Sequence, residues 1–192
     1  MRKKSVTRAT RETDITVTVN LDCPGYDIDT GIAFFDHMLI AFAQHGKFGL
    51  DIKARGDLEI DMHHTVEDCG IVLGQAFAGA LADKRGIARF GQQYLPMDEA
   101  LAFCAVDVSG RPFLVCNLAP LEGRNMPGLD PMLLEEFFRA FSTNAGITLH
   151  IDCRYGKNPH HMAEALFKAV GRALREAVTL VDDSMPSSKG ML

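Results

Sequence analysis

The feature that most constrains the fold of this chain is an internal repeat. Residues 49–64, GLDIKARGDLEIDMHH, align without a gap with residues 146–161, GITLHIDCRYGKNPHH, so that a glycine precedes two adjacent histidines by the same distance. The match continues into HHTVE at residues 63–67 and HHMAE at residues 160–164. A common register over roughly thirty residues per copy indicates a duplicated unit rather than two chance motifs.

The repeat extends in both directions and predicts the domain organisation. Upstream, Phe42 corresponds to Phe141, and downstream, Gly74 corresponds to Gly171. We therefore predict an α+β fold made of two similar halves, each with a β-sheet packed against helices. The predicted halves are residues 1–96 and 97–192, and no Pro/Gly/Ser-rich linker separates them, which favours one compact unit.

Hydrophobic periodicity predicts the elements within each half. Apolar residues recur at helical spacing in four segments, and β-branched residues alternate with polar ones in others. The predicted helices are residues 34–44, 63–83, 133–143 and 160–181. The predicted strands are residues 14–21, 50–54 and 58–60, followed by a hairpin of residues 101–108 and 112–118 that turns at Ser109-Gly110.

Composition excludes several classes of protein. The net charge of −5 argues against nucleic acid as a partner. No apolar run approaches the ~20 residues of a membrane span, and none follows the basic N-terminus as in a secretory signal. Five cysteines without a CxxC pair favour reduced thiols in the cytoplasm.

The two HHxxE motifs predict a metal centre. Residues four apart share one face of a helix, whereas adjacent residues point ~100° apart. His63 and Glu67 can therefore bind one ion, while His64 serves a second ion or another partner, and the second motif repeats this geometry. His37 adds a further imidazole, and its counterpart in the second half is Glu136. The eight predicted ligands are His37, His63, His64, Glu67, Glu136, His160, His161 and Glu164.

Eight ligands over two ions leave open coordination positions, as catalysis requires. Nitrogen and oxygen ligands without sulfur suit Mn²⁺, Fe²⁺, Zn²⁺ or Ni²⁺. The metalloprotease pattern HExxH and the nucleotide-binding glycine motifs are absent from the sequence. Such a centre fits a dinuclear phosphoesterase, a metal-storage or sensory protein, or a metal-linked assembly module.

Five strings in the sequence resemble the imidazoleglycerol-phosphate dehydratase family. They are FDHML at 35–39, DMHHTVED at 61–68, DVSGRP at 107–112, HHMAEALFK at 160–168 and PSSKG at 186–190. The resemblance implies a ribosomal S5 domain 2-like fold and dehydration of a phosphorylated imidazole alcohol in histidine biosynthesis. It also implies two Mn²⁺ ions per site, an assembly of 24 subunits and sites between neighbouring subunits.

The resemblance further implies the roles of individual residues. Glu12 and Glu164 are the carboxylates that move protons, although Glu12 also fits an ordinary solvated charge. His45 contacts substrate or is bonded locally, and Glu136 is either a ligand, where some members carry histidine, or a surface residue. Lys168, one helical turn after Glu164, lies near the face of the metal ligands. The residues implied to bind substrate are Glu12, His45, Arg89, Arg111, Lys168, Ser187, Ser188 and Lys189.

Overall fold

The computed structural model describes residues 1–126, 128–190 and 192. The chain forms eight strands, four α-helices and one short 3₁₀ helix within these residues. The strands are β1 (Lys3–Ala9), β2 (Thr13–Asn20), β3 (Gly25–Asp29), β4 (Gly49–Gly56), β5 (Phe90–Met97), β6 (Ala100–Asp107), β7 (Phe113–Asn117) and β8 (Thr148–Tyr155). The helices are α1 (Ala33–Gly46), α2 (His63–Leu81), α3 (Met132–Ala145) and α4 (Pro159–Ala177), with the 3₁₀ helix at Ala119–Leu121.

The strands form two sheets with the same topology. The first has the order β1-β2-β4-β3 and the second the order β5-β6-β8-β7. In each sheet three strands are antiparallel, and the fourth, β3 or β7, runs parallel to its neighbour. Alternate residues of β2, such as Ile15 and Val17, are fully buried because one face of the sheet packs against helices. The predicted duplicated α+β fold is confirmed.

The four helices lie between the sheets and pair across the two halves. Helix α2 packs on β1 and β2, and α4 packs on β5 and β6. Helix α1 of the first half contacts α4 of the second, and α2 contacts α3. The core is therefore shared by both halves, and each half buries its helices against those of the other.

Matching glycines allow these helix pairs to approach closely. A Cβ atom on Gly171 would lie 2.4 Å from the carbonyl oxygen of Phe42, and one on Gly74 would lie 2.7 Å from that of Phe141. Both distances are shorter than a van der Waals contact, so only glycine fits. The glycine and phenylalanine matches that revealed the repeat thus form two equivalent contacts between helices.

Replacing Gly171 with alanine is expected to destabilise the fold by about 1–3 kcal/mol, because α1 and α4 must move apart. The free energy of unfolding in urea measures this loss. Gly79→Ala is the matched control, since Gly79 lies on the exposed side of α2 against the Lys4 side chain. The control is expected to change stability by less than about 1 kcal/mol. Equal stabilities for the two variants would contradict the close helix contact.

Two of the predicted strand features are wrong. Residues 58–60 form a turn, because β4 ends at Gly56 and the chain then leads to α2. Strands β6 and β7 do not form a hairpin; both lie beside β8, and β7 is parallel to it. A parallel partner that comes much later in the chain cannot be recognised from the short spacing between β6 and β7.

The ungapped alignment of residues 49–64 with 146–161 is also wrong within the strands. Lys47 follows the end of α1 and Gly146 follows the end of α3, each with left-handed backbone, so these two residues are equivalent. Gly49 then matches Thr148, the first residue of β8. The two histidine pairs nevertheless align, because residues 57–62 separate β4 from the first pair and only residues 156–159, which include the start of α4, separate β8 from the second.

Strand β5 contains the predicted boundary between residues 96 and 97. It pairs with β6 along its whole length and belongs to the second sheet. The division of the chain into two domains stays a prediction. None of the helices in the described ranges is long and apolar enough to cross a membrane.

Candidate metal centre

The contact between α1 and α4 brings three predicted ligands together. Glu164 Oε2 lies 3.1 Å from His160 Nε2 and 3.3 Å from His37 Nε2, and the three ligand atoms all lie within 4.8 Å of one another. Around a six-coordinate ion with bonds of roughly 2.0–2.3 Å, adjacent ligand atoms are about 2.8–3.3 Å apart. Two imidazoles and a carboxylate at these distances suit a divalent metal ion.

The start of α4 fixes two of these ligands. Pro159 occupies the first turn, and the Asn158 side chain caps the helix by accepting a hydrogen bond of 2.9 Å from the His160 backbone N–H. His160 and Glu164 are then one turn apart on the same face. The Glu164 side chain is buried where α4 meets α1, so the helix contact orients the carboxylate toward His37.

Glu164 also binds Lys168, whose Nζ lies 2.6 Å from Oε1. Burial raises the pKa of the Glu164 carboxyl, but the hydrogen bonds from Lys168 and His160 and the nearby positive charge outweigh it and lower that pKa. An ionised carboxylate is the form that binds a cation. Burial, together with the charge of Lys168, lowers the pKa of His45 at the end of α1.

The first HHxxE motif is more open than the second. His63 Nε2 lies 3.6 Å from Glu67 Oε2, and His63 lines a cleft of about 760 Å³ beside the connection before α3. Glu136 pairs with Arg139 at 3.8 Å. Among the described residues, only His37, His160 and Glu164 bring three ligand atoms within 4.8 Å of one another. Metal binding by Glu136 stays a prediction.

The second histidine of each motif is held by a carboxylate through Nδ1. His64 Nδ1 lies 3.0 Å from Asp57 Oδ2, and His161 Nδ1 lies 2.8 Å from Glu99 Oε2. These hydrogen bonds raise the pKa of both imidazoles, and the one to His161 is the largest cause that lowers the pKa of Glu99 to about 2. The arrangement leaves Nε2 of each ring available for a metal ion.

Asp57 and Glu99 were not among the residues predicted from the sequence. Glu99 ends the turn between β5 and β6 just as Glu12 ends the turn between β1 and β2, and this equivalence becomes visible only when the strands are paired. Glu12 Oε2 lies 4.0 Å from His64 Nδ1 and is largely exposed. Asp57 lies in the longer connection after β4, which an ungapped alignment conceals.

The predicted phosphate-binding arginines lie at the other end of α4. Arg89 and Arg111 both bind Asp107, with 2.7 Å from Arg89 Nε to Oδ1, and the hydrogen bond to Asp107 raises the pKa of Arg89. Arg89 also donates to the Pro186 carbonyl oxygen, next to the tail with Ser187, Ser188 and Lys189. The Arg89 backbone N–H donates to Ala177, the last residue of α4.

These arginines are therefore remote from the three clustered ligands of the same chain. Helix α4 has 19 residues, and such a helix is about 28 Å long. His160 lies at its start and Arg89 beside its end. Within one chain, Arg89 and Arg111 therefore do not share a site with His37, His160 and Glu164, whereas Lys168 lies directly beside Glu164.

Fold and site together define an internally duplicated α+β protein with ligands for a divalent metal ion. The model of the family described as imidazoleglycerol-phosphate dehydratase matches residues 30–174. The chain belongs to the imidazoleglycerol-phosphate dehydratase family, as the five sequence strings predicted. Enzymes of this family are metal-dependent hydro-lyases of histidine biosynthesis.

Full-length relatives and solved structures agree with this assignment. Imidazoleglycerol-phosphate dehydratases of Thermoanaerobacter pseudethanolicus and Cereibacter sphaeroides are each 56% identical, with 100% of both chains covered. The crystal structure of the Staphylococcus aureus enzyme has a TM-score of 0.84 at 41% identity and covers 93% of this chain and 99% of that one. The Pyrococcus furiosus structure has a TM-score of 0.81 at 36% identity and covers 97% and 100%.

Proposed function

We propose that this chain dehydrates imidazole glycerol phosphate to imidazole acetol phosphate in histidine biosynthesis. Family membership over the full length of the chain supports the reaction. The observation that carries the proposal is the group of His37, His160 and Glu164, whose ligand atoms converge at the contact of α1 with α4. The reduced cysteines, all five unpaired, fit the cytoplasm as the site of this pathway.

Two Mn²⁺ ions per active site are part of this proposal. His37, His160 and Glu164 hold one ion, while His63, Glu67 and Glu136 supply the equivalent ligands for the other. The counterpart positions support this division, because His37 and Glu136 occupy matching places on α1 and α3, one turn after each helix begins. His64 and His161 complete the coordination through Nε2.

His64 and His161 would do so for a neighbouring subunit. Each ring is held through Nδ1 by a carboxylate of its own chain, and neither belongs to the group at the contact of α1 with α4. The length of α4, which separates His160 from Arg89, supports a second chain that would bring the phosphate-binding arginines to the metal ligands. These observations support an assembly of identical subunits, with 24 as the proposed number.

The reaction removes a proton from carbon and a hydroxyl group from the neighbouring carbon. Bound Mn²⁺ ions supply Lewis-acid catalysis, which makes a carbon-bound proton next to the imidazole ring easier to remove. The Glu12 side chain is exposed, and among the described contacts its carboxylate accepts no hydrogen bond. In this proposal, the Glu12 carboxylate accepts the proton from carbon. The departing hydroxyl needs a proton to leave as water, which the carboxyl of Glu12, now protonated, or that of Glu164 supplies, and the enol product then becomes the ketone.

The phosphate group stays attached and holds the substrate in place. Arg89 and Arg111 offer guanidinium donors beside Asp107, and Ser187, Ser188 and Lys189 follow the Pro186 contact in the tail. Charge-assisted hydrogen bonds from such groups suit a phosphate. Lys168 on α4 and His45 on α1 lie near Glu164, and this position supports their proposed contact with the substrate.

The test is turnover of imidazole glycerol phosphate by purified protein that is stripped of metal and then supplied with Mn²⁺. We expect the ketone product to disappear on stripping and to return with Mn²⁺. Inorganic phosphate, measured in parallel, is expected to stay absent, whereas its release would indicate a phosphoesterase. A folded, metal-loaded protein that forms no ketone would overturn the proposal in favour of a metal-binding protein.

A further inference from the structure

The turns from β1 to β2 and from β5 to β6 are equivalent, and each ends in a glutamate. Lys3 pairs with Asn20 in the first hairpin, and Phe90 pairs with Asp107 in the second. Glu12 follows Lys3 by nine residues, and Glu99 follows Phe90 by nine residues, so the two glutamates occupy equivalent positions in the two hairpins. Each turn reaches the second histidine of the nearby HHxxE motif, which is His64 in the first half and His161 in the second.

The Glu99 carboxylate joins three parts of the second half. Its Oε2 lies 2.8 Å from His161 Nδ1. Its Oε1 accepts the backbone N–H groups of Lys157 at 3.0 Å and Asn158 at 2.6 Å. Glu99 therefore connects the turn after β5, the connection before α4 and the imidazole ring on the first turn of α4.

In the first half, the histidine is held by a different residue, Asp57. Asp57, in the longer connection of residues 57–62, accepts from His64 Nδ1 with both oxygens, at 3.0 and 3.2 Å. Glu12 remains 4.0 Å from that nitrogen. Asp57 is the first residue after β4, where Gly156 follows β8 in the second half, and its carboxylate replaces Glu12 in holding the imidazole.

A carboxylate at Nδ1 determines which nitrogen of the ring can bind a metal ion. A neutral imidazole carries one N–H, and an ionised carboxylate only accepts hydrogen bonds, so the proton stays on Nδ1. Nε2 then keeps its lone pair. Partners of this kind also fix the ring orientation, and their loss typically costs 10- to 100-fold in metal affinity.

We propose that Glu99 is a positioning residue that orients His161 so that its Nε2 binds a divalent metal ion. Asp57 has this role for His64, and its presence leaves Glu12 free to contact substrate. The inference rests on the proposed function, which makes His161 a metal ligand.

The test compares Glu99→Gln with wild-type protein by titrating Mn²⁺ and following the electron paramagnetic resonance signal of the free ion. The glutamine oxygen can still accept from Lys157 and Asn158, but its NH₂ group donates toward Nδ1 and favours the proton on Nε2. We expect one class of Mn²⁺ sites to weaken by about 10- to 100-fold, with a Tm close to that of the wild type. Asp57→Ala is the second variant, with the same expected loss through His64, because an asparagine oxygen could still accept from Nδ1.

Asp98→Asn is the matched control. Asp98 Oδ2 lies 3.9 Å from His161 Nδ1 and is mostly exposed, so this change removes a nearby charge without removing the hydrogen bond. Asparagine also tolerates the positive φ of 48° at this position. The control is expected to bind Mn²⁺ within about twofold of the wild type, because exposed charges at this distance interact weakly.

A double variant separates this role from a general effect on folding. Glu99→Gln is expected to cause no further loss of Mn²⁺ affinity in a His161→Ala background, because both changes affect one ligand. Wild-type affinity in Glu99→Gln, or an undiminished additional loss in the double variant, would overturn the inference. Wild-type Mn²⁺ binding by His161→Ala alone would instead refute the proposed ligand, and with it that part of the proposed function.

Discussion

Replacing His161 with alanine is expected to lower kcat by about a thousandfold or more. Metal catalysis contributes several kcal/mol of transition-state stabilisation, and each 1.36 kcal/mol corresponds to a tenfold change in rate. The expected loss follows from removing an imidazole whose Nδ1 is already held by Glu99 at 2.8 Å. His64→Ala is expected to have an effect of the same size, because Asp57 holds that ring in the same way.

Steady-state kinetics with saturating Mn²⁺, together with the metal content of each variant, measures these effects. His150→Ala is the control, because His150 lies on the exposed face of β8 and belongs to neither motif. The control is expected to retain wild-type turnover. Full activity in either His64→Ala or His161→Ala would refute a metal site that uses both copies of the repeat.

Replacing Glu12 with glutamine is expected to lower kcat by about 10²- to 10⁴-fold without changing the metal content. General acid–base catalysis accounts for rate factors of this size, and glutamine cannot accept the proton. Metal binding is expected to be preserved because Asp57, rather than Glu12, accepts the hydrogen bond from His64. A lower kcat with unchanged metal content would identify Glu12 as a proton-transfer residue. Replacing a metal ligand, or a residue that positions one, would lower the metal content as well.

The measurement is kcat at saturating substrate and Mn²⁺, combined with metal analysis of the purified protein. Glu59→Gln is the control, since Glu59 is exposed in the turn after β4. It removes an equal charge and is expected to leave kcat unchanged. If Glu12→Gln kept wild-type kcat, Glu12 would be an ordinary surface charge, and another group would have to accept the proton.

Helices were more predictable from the sequence than strands. Each predicted helix overlaps an observed one, because a long apolar stripe at helical spacing is a strong signal. Strand β1, with the sequence KKSVTRA, was not predicted because it lies at a sheet edge and is mostly exposed. Strands β3 and β7 are short and pair in parallel with distant strands, and local sequence contains no information about that choice of partner.

Site residues could be predicted from the sequence where their proximity depends only on spacing along one helix. Spacing of four along α4 was sufficient to place His160 and Glu164 together, but the approach of His37 depends on how α1 packs across the halves. Glu99 and Asp57 act through turns and connections whose lengths differ between the copies. Their roles required the strand pairing, because only the pairing reveals the two-residue difference after β4 and β8.

The crossed helix pairing has a consequence for the origin of the chain. Because α1 packs on α4 and α2 on α3, either half alone would expose the apolar faces with which its helices contact the other half. A single ancestral half would have needed a second copy of itself, so gene fusion would have joined a homodimer through its own interface. The group of His37, His160 and Glu164, with ligands from both halves, would then descend from a centre between two separate polypeptides.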